Sequence, residues 1–338
     1  MSRKVLITIC VIFVLLVGIW VLTNYQRAKK TSELLIKLGD PDDLVALDAM
    51  DQLRHRGSSI GPRLVDLATS EQPRVRYRAC VLISDTGYNA TAAREKLVTL
   101  ISDKDADVQR AAAAACGHLK FAEAEAPLLL LLQEPKADPN LLALACQTVG
   151  TVGGKAAVPI LSGIIKKHPP AEPKKPKPKE LEPGEKPPPP PPPPAKPEPP
   201  KPKDLTWQVR VQAARALGAI GEAEGVDALD EAISDTSEPN LNVRVAAAYG
   251  LGDLGSSPRG SAGVEKACLA LVKGMSDDAG DVRIASAMSL ARLYPPSAVE
   301  PQVEQAIKDH ADDEHLWVRE AVKYAAHQLG ISLLPAGA

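Results

Sequence analysis

A valine–arginine pair near the start of an alanine-rich helical stretch recurs along this 338-residue chain, and its spacing restricts the possible folds more than any other feature. In residues 204–221, DLTWQVRVQAARALGAIG, the pair is Val209-Arg210, with Asp204 six residues before the arginine. The valine slot is filled at Val45, Val75, Val108, Leu141, Val209, Val243, Val282 and Val318. Arginine follows it at Arg76, Arg210, Arg244, Arg283 and Arg319, with Ala46, Gln109 and Leu142 as departures. The acid slot holds Asp204, Glu238, Asp277 and Asp313, with Asp103 before Gln109 and Ser70 before Arg76. Intervals of 30, 33, 33, 68, 34, 39 and 36 residues have the period of a helical solenoid.

The offsets from the valine define what each slot does. Slots 0, +4, +7, +8 and +11 fall on one stripe of a 3.6-residue helix; here they are Val209, Ala213, Ala216, Leu217 and Ile220. Slot +4 is small almost throughout, from Ala49 and Ala79 to Ala247 and Ser286, which lets helices approach closely. Slot +12 is glycine six times in eight, at Gly57, Gly87, Gly153, Gly221, Gly255 and Gly330. Glycine there suits a left-handed residue that ends the helix. Each repeat is thus a helix, a turn carrying the acid, a second helix carrying Val-Arg, and a glycine stop. Such a pair cannot bury its apolar face alone and must stack on its neighbours.

This pattern resembles HEAT repeats, most closely the HEAT-like repeats named after phycobilisome lyases, over about residues 31–334. The resemblance implies an all-α solenoid of about eight helix pairs. It also implies a charge ladder between stacked repeats, made of Asp204/Arg210, Glu238/Arg244, Asp277/Arg283 and Asp313/Arg319. Arg210 is then structural. The 68-residue interval contains an insertion, 169–203, with eighteen prolines, eight of them consecutive at 187–194. Proline at that density forms neither helix nor sheet, and tends to polyproline II or disorder. The repeat phase survives the insertion, which places it as a loop between partner helices. The expected organisation is an anchor over 1–30, repeats over 31–168 and 204–334, and the insertion between them.

Charge bears on partners. The net charge of −2 hides an asymmetry: residues 1–30 carry five basic and no acidic residues, and residues 166–203 carry ten basic and five acidic. The repeats are left acidic by 12 charges, the opposite of a nucleic-acid-binding groove. Residues 5–22, VLITICVIFVLLVGIWVL, form an 18-residue uncharged run, about 27 Å as a helix. Arg3 and Lys4 precede it, and Trp20, Tyr25, Arg27, Lys29 and Lys30 sit at its far end. This reads as an uncleaved single-pass transmembrane anchor, favoured over a signal peptide because no A-x-A-like site follows. The four-residue tail favours an inside N-terminus, with the repeats outside the cytoplasm.

Catalytic constellations are sparse. GSSIG at 57–61 matches a nucleophile-elbow string but falls on a helix stop and a turn, not between strand and helix. The run DHADDEH at 309–315 offers Asp312, Asp313 and His315 to a cation, against the simpler reading of a solvated turn whose Asp313 serves the ladder. The His-Glu dipeptides by which some HEAT-like enzymes hold a di-iron centre are absent from the sequence. Of the five cysteines, Cys10 lies in the apolar run, Cys80 and Cys146 share slot +5, and Cys116 and Cys268 read as small buried residues without a C-x-x-C. The expectation is a non-enzymatic, membrane-anchored scaffold for a protein partner, with no cofactor, metal or small-molecule substrate; the alternative is an enzyme or enzyme accessory of the phycobilisome-lyase type.

The resemblance also places a surface, because the second helix lines the concave side in HEAT proteins. Slots +2, +6, +9 and +13 point away from the core stripe. Slot +6 in the C-terminal half holds Arg215, Tyr249, Met288 and Tyr324, residue types enriched in interface cores.

Overall fold

The computed structural model describes residues 3–134, 136–167, 206–233, 238–254, 263–293 and 300–333, and of residues 3–11 the helix alone. The insertion 169–203, Asp204 and Gly255 lie outside the described residues. Among those described, all regular structure is helical, and the chain divides into two compact units, Met1–Pro127 and Leu128–Ala338.

The first unit contains α1 (Arg3–Lys37), α2 (Asp43–Arg54), α3 (Gly61–Leu67), α4 (Pro73–Asp85), α5 (Thr91–Leu100) and α6 (Ala106–His118). First and second helices pair as α1 with α2, α3 with α4 and α5 with α6; the second helices α2, α4 and α6 also pack in sequence. Their starts are built alike. Asp42 accepts from Leu44 N, and Asp105 from Asp107 N and Val108 N, capping free N–H groups. Pro73 opens α4, where its missing donor costs nothing. The predicted stripe is buried: Val75, Ala79, Leu82 and Ile83 in α4, and Val108, Ala112, Ala115 and Cys116 in α6.

In the second unit, α7 (Glu125–Leu132) carries the boundary, followed by α8 (Pro139–Val152), α9 (Val158–Ile165), α10 (Thr206–Ile220), α11 (Val226–Ile233) and α12 (Leu241–Leu254). Then come α13 (Val264–Gly274), α14 (Gly280–Leu293), α15 (Glu300–Asp309) and α16 (Leu316–Leu329). Second helices α8, α10, α12, α14 and α16 form one packed row; first helices α9, α11, α13 and α15 form the other. α9 packs on α10 although the insertion separates them in sequence. The first-helix row is tied across its exposed side by Lys166–Glu231 at 2.9 Å, Lys273–Asp230 at 3.0 Å and Lys266–Asp227 at 3.3 Å.

Two expectations are corrected. No helix among the described residues is long and apolar enough to cross a membrane, which overturns the single-pass anchor over residues 5–22 and the extracytoplasmic placement built on it. The apolar run is the first part of one continuous helix. That helix goes on through Arg27, Lys29, Lys30 and Glu33 to Lys37, and its end is held by buried Leu34, Leu35 and Leu38 against α2. The second correction concerns slot +12. Gly57, Gly87, Gly221 and Gly330 are left-handed, as is Lys120 in the same slot, but Gly153 is extended with φ −81°. A Cβ there would lie 2.6 Å from the Val149 carbonyl oxygen, so close approach, not a left-handed turn, requires that glycine.

Candidate protein-binding face and the ladder behind it

Arg76, Arg210, Arg244 and Arg283 each reach the acid of the next repeat. Arg244 Nη1 donates to Glu238 O at 3.1 Å, the carbonyl of its own acid slot, while Nε lies 3.0 Å from Oδ2 of Asp277, the acid of the next repeat. Arg283 donates to Asp277 O at 2.8 Å and grips both carboxylate oxygens of Asp313 at 2.9 Å. Arg210 reaches Glu238 at 3.0 Å, and Arg76 donates to Ser70 O at 2.8 Å and reaches Asp103 at 2.7 Å. The couples Glu238/Arg244, Asp277/Arg283 and Asp313/Arg319 therefore meet through the acid's main-chain carbonyl; the carboxylate belongs to the arginine one repeat earlier.

This direction accounts for the departures. Ala46 precedes a repeat with Ser70 in the acid slot, and Gln109 precedes one with Lys136 there, so neither needs a cation; Leu142, before Asp204, is the exception. Gln109 keeps the carbonyl bond, donating from Nε2 to Asp103 O at 2.7 Å. Where Ala46 cannot, the buried Arg78 of the next helix donates to Leu38 O at 2.6 Å and to Asp40 O at 3.3 Å, and pairs with Asp43 at 2.6 Å. Sequence reading missed Arg78; its signal was a lone arginine in slot +3, elsewhere mostly alanine.

Burial pushes the Asp103 and Asp313 carboxyls up, but the Arg76 and Arg283 guanidiniums and the backbone N–H of Asp105 and His315 outweigh it. Both groups end below the usual carboxylate range. Asp313 thus has both oxygens committed to Arg283, and among the described residues no group of three His, Cys, Asp or Glu side chains is placed to hold a metal. Residues 57–60 form a short helical turn running into α3, with Ser59 Oγ on Arg56 O. The thiols of Cys80, Cys116, Cys146 and Cys268 are buried, which pushes them up to about 12, far from a reactive thiolate.

With the ladder on the turns, the outer side of the second-helix row remains, and it also carries the exposed Arg292–Asp253 pair between α14 and α12. Slot +6 places Arg215 on α10, Tyr249 on α12, Met288 on α14 and Tyr324 on α16, one per successive packed helix. Arg215 is exposed and Met288 half-buried, while Tyr249 and Tyr324 keep 38% and 46% of their surface in water. Slot +2 adds half-buried Val245 and Ile284 one turn before Tyr249 and Met288. Trp317, 72% exposed, stands seven residues before Tyr324 and so on the same side of α16. It lies one residue ahead of the repeat stripe, which is why slot reading passed over it.

A family model of HEAT repeats matches residues 94–175 and 203–291, about half of the chain. The chain belongs to the HEAT-repeat family. Solved structures similar to this HEAT chain include the complex of CpcE and CpcF of phycocyanin lyase from Nostoc sp. PCC7120, at 16% identity over 80% of this chain and 94% of that one, with a TM-score of 0.44. An engineered protein matches at 16% identity over 88% and 78%, TM-score 0.48, and human deoxyhypusine hydroxylase in complex with glycerol at 16% over 92% and 99%, TM-score 0.33. No curated protein matches this chain.

Proposed function

We propose that this HEAT chain is a protein-interaction scaffold rather than an enzyme, and that its partner seats on the outer side of the second-helix row of residues 128–338. The observation that carries this is the aromatic series Tyr249, Tyr324 and Trp317 left in water on α12 and α16, whose buried faces are built largely of alanine, valine and leucine. Large aromatic side chains left exposed on a rigid, evenly spaced support are the anchors that interface cores use. The partner surface this face suits is an apolar segment with an acidic group within reach of Arg215. Nothing in the residues favours the lyase-accessory alternative over this reading.

The test is the double variant Tyr249→Ala/Tyr324→Ala beside Lys266→Ala, a control on the charged first-helix side. Proteins captured by the wild type and the control but lost from the double variant, at unchanged melting temperature, support the face. Capture indifferent to the double variant overturns it.

A further inference from the structure

Neighbouring second helices of residues 128–338 meet by a fixed rule. A Cβ built on Gly150 comes 2.9 Å from Ala216 Cα, one on Gly218 comes 2.6 Å from Gly250 Cα, and one on Gly252 comes 2.7 Å from Ser289 Cβ. Slot +9 of one repeat therefore abuts slot +7 of the next. One turn earlier, the pairs of slots +5 and +3 are Ala214/Ala246, Ala248/Ala285 and Ala287/Ala321. In the same register the guanidinium after the valine takes the carboxylate of the following turn.

Among the described residues, α16 and α2 have no neighbouring second helix on one side, and this rule's contacts are unfilled there. On α16, slots +5 and +9 are Lys323 and His327, both exposed, in line with Arg319 at i, i+4 and i+8; Lys323 pairs only within its own helix, with Glu320 at 2.8 Å. Arg319 donates to Asp313 O at 2.6 Å as the other arginines do, and among the described residues no carboxylate meets it. On α2, slots +3 and +7 are the exposed Asp48 and the half-buried Gln52, bonded to each other by Gln52 Nε2 donating to Asp48 Oδ2 at 2.8 Å. Asp40 holds the acid geometry of the inner rungs, accepting from Asp42 N at 2.9 Å, and among the described residues no guanidinium meets its carboxylate.

We propose that the chain associates head to tail with a second copy of itself, α16 of one copy lying against α2 of the next. The chain's own register sets Arg319 on Asp40, Lys323 on Asp48 and His327 beside Gln52, basic against acidic at the first two steps and polar against polar at the third. Long polar side chains replace the alanines and glycines of the inner contacts, so the helices meet at wider spacing. The contact is then electrostatic, weaker than the inner stacking, and screened by salt. Being heterologous, it builds rings where the rotation between copies closes and open chains where it does not.

Two reversed full-length variants test this by sedimentation velocity over rising concentration: Arg319→Glu/Lys323→Glu, and Asp40→Lys/Asp48→Lys. Wild type should associate at low salt and dissociate on adding salt. Each variant alone should need roughly ten-fold higher concentration. Their equimolar mixture should associate as the wild type does, because acidic tail then meets basic head and basic tail meets acidic head. A wild type monomeric throughout, reversal without effect, or a mixture no better than its components each overturns the proposal. Where Arg319→Glu or Asp40→Lys lowers the melting temperature, the exposed pair Lys323→Glu and Asp48→Lys decides alone by the same mixing.

Discussion

Arg210 and Glu238 form an ion pair with almost no access to water: Nε lies 3.0 Å from Oε2, and the side chains keep 2% and 1% of their surface exposed. Glu238 also accepts from Asn240 N at 2.8 Å, and Arg210 donates to Thr206 Oγ1 at 2.9 Å. The guanidinium meets both carboxylate oxygens of Glu238, Oε2 at 3.0 Å and Oε1 at 3.3 Å.

Removing one partner leaves a buried charge unpaired. Arg210→Ala should cost about 3–5 kcal/mol in denaturant unfolding followed by circular dichroism. Replacing both, Arg210→Met/Glu238→Met, should cost less than either single change, since no charge is then stranded. Arg292→Ala breaks a pair with Asp253 whose side chains are 45% and 37% exposed, and should cost under about 1 kcal/mol. Equal losses at Arg210 and Arg292 would remove the ladder from the account of stability.

Helix approach sets a second expectation. The Cβ of Gly218→Ala would meet backbone atoms of Gly250 at 2.6 Å, and backbone cannot swing aside as a side chain does. The α10–α12 contact must widen, at about 1–3 kcal/mol. Gly163→Ala in α9 meets nothing within 4 Å and should stabilise by about 0.5–1 kcal/mol through a stiffer unfolded chain. Melting temperatures moving in opposite directions would bear this out; a loss at Gly163 would show that free volume does not govern these helices.

How much of this was legible in the sequence depends on what each residue answers to. Val209, Ala213 and Leu217 answer to their own helix, so a 3.6-residue period reveals them. The ladder's direction does not show in that period, because Glu238 lies near both Arg244 in sequence and Arg210 in space; only Ala46 before Ser70 and Gln109 before Lys136 betray it. Arg78 does the work of a residue missing from another repeat, which slot-by-slot reading cannot see. The apolar run of α1 misled because composition shows an uncharged stretch but not that its helix continues into a packed, charged end. The exposure of Tyr249 and Tyr324 was legible because the same rotation that buries slot 0 turns slot +6 outward.

Acid should weaken the ladder with a defined sign. The carboxyls of Asp103 and Asp313 lie below the ordinary value when folded, so the unfolded chain takes up their protons first. Their contribution is complete above the ordinary aspartate range and falls away as pH drops toward the depressed folded values. Melting temperature, followed from about pH 6 to about pH 3, should decline in this window. Asp313→Asn should start lower and decline less steeply, having one proton fewer to bind on unfolding. Parallel curves for the two proteins would mean that Asp313 contributes nothing to the acid response.

The buried thiols allow the role of Arg78 to be read locally. Cys80 and Cys116 lie in the unit of residues 1–127, and Cys146 and Cys268 in that of residues 128–338; burial pushes all four up to about 12. At about pH 8 they should resist a maleimide until the surrounding helices open. Arg78→Ala deprives the Leu38 carbonyl of its 2.6 Å donor and leaves Asp43 without its cation, at about 1–3 kcal/mol. Opening near α4 should then become roughly 5- to 150-fold more frequent, by the conversion of 1.4 kcal/mol per ten-fold. Labelling resolved by mass spectrometry should therefore accelerate at Cys80 and Cys116 and stay unchanged at Cys146 and Cys268. Arg78→Lys, which keeps a donor but not the two-way reach, should fall between. Acceleration at all four thiols alike would show that the chain opens only as a whole, and would overturn Arg78 as a local clasp.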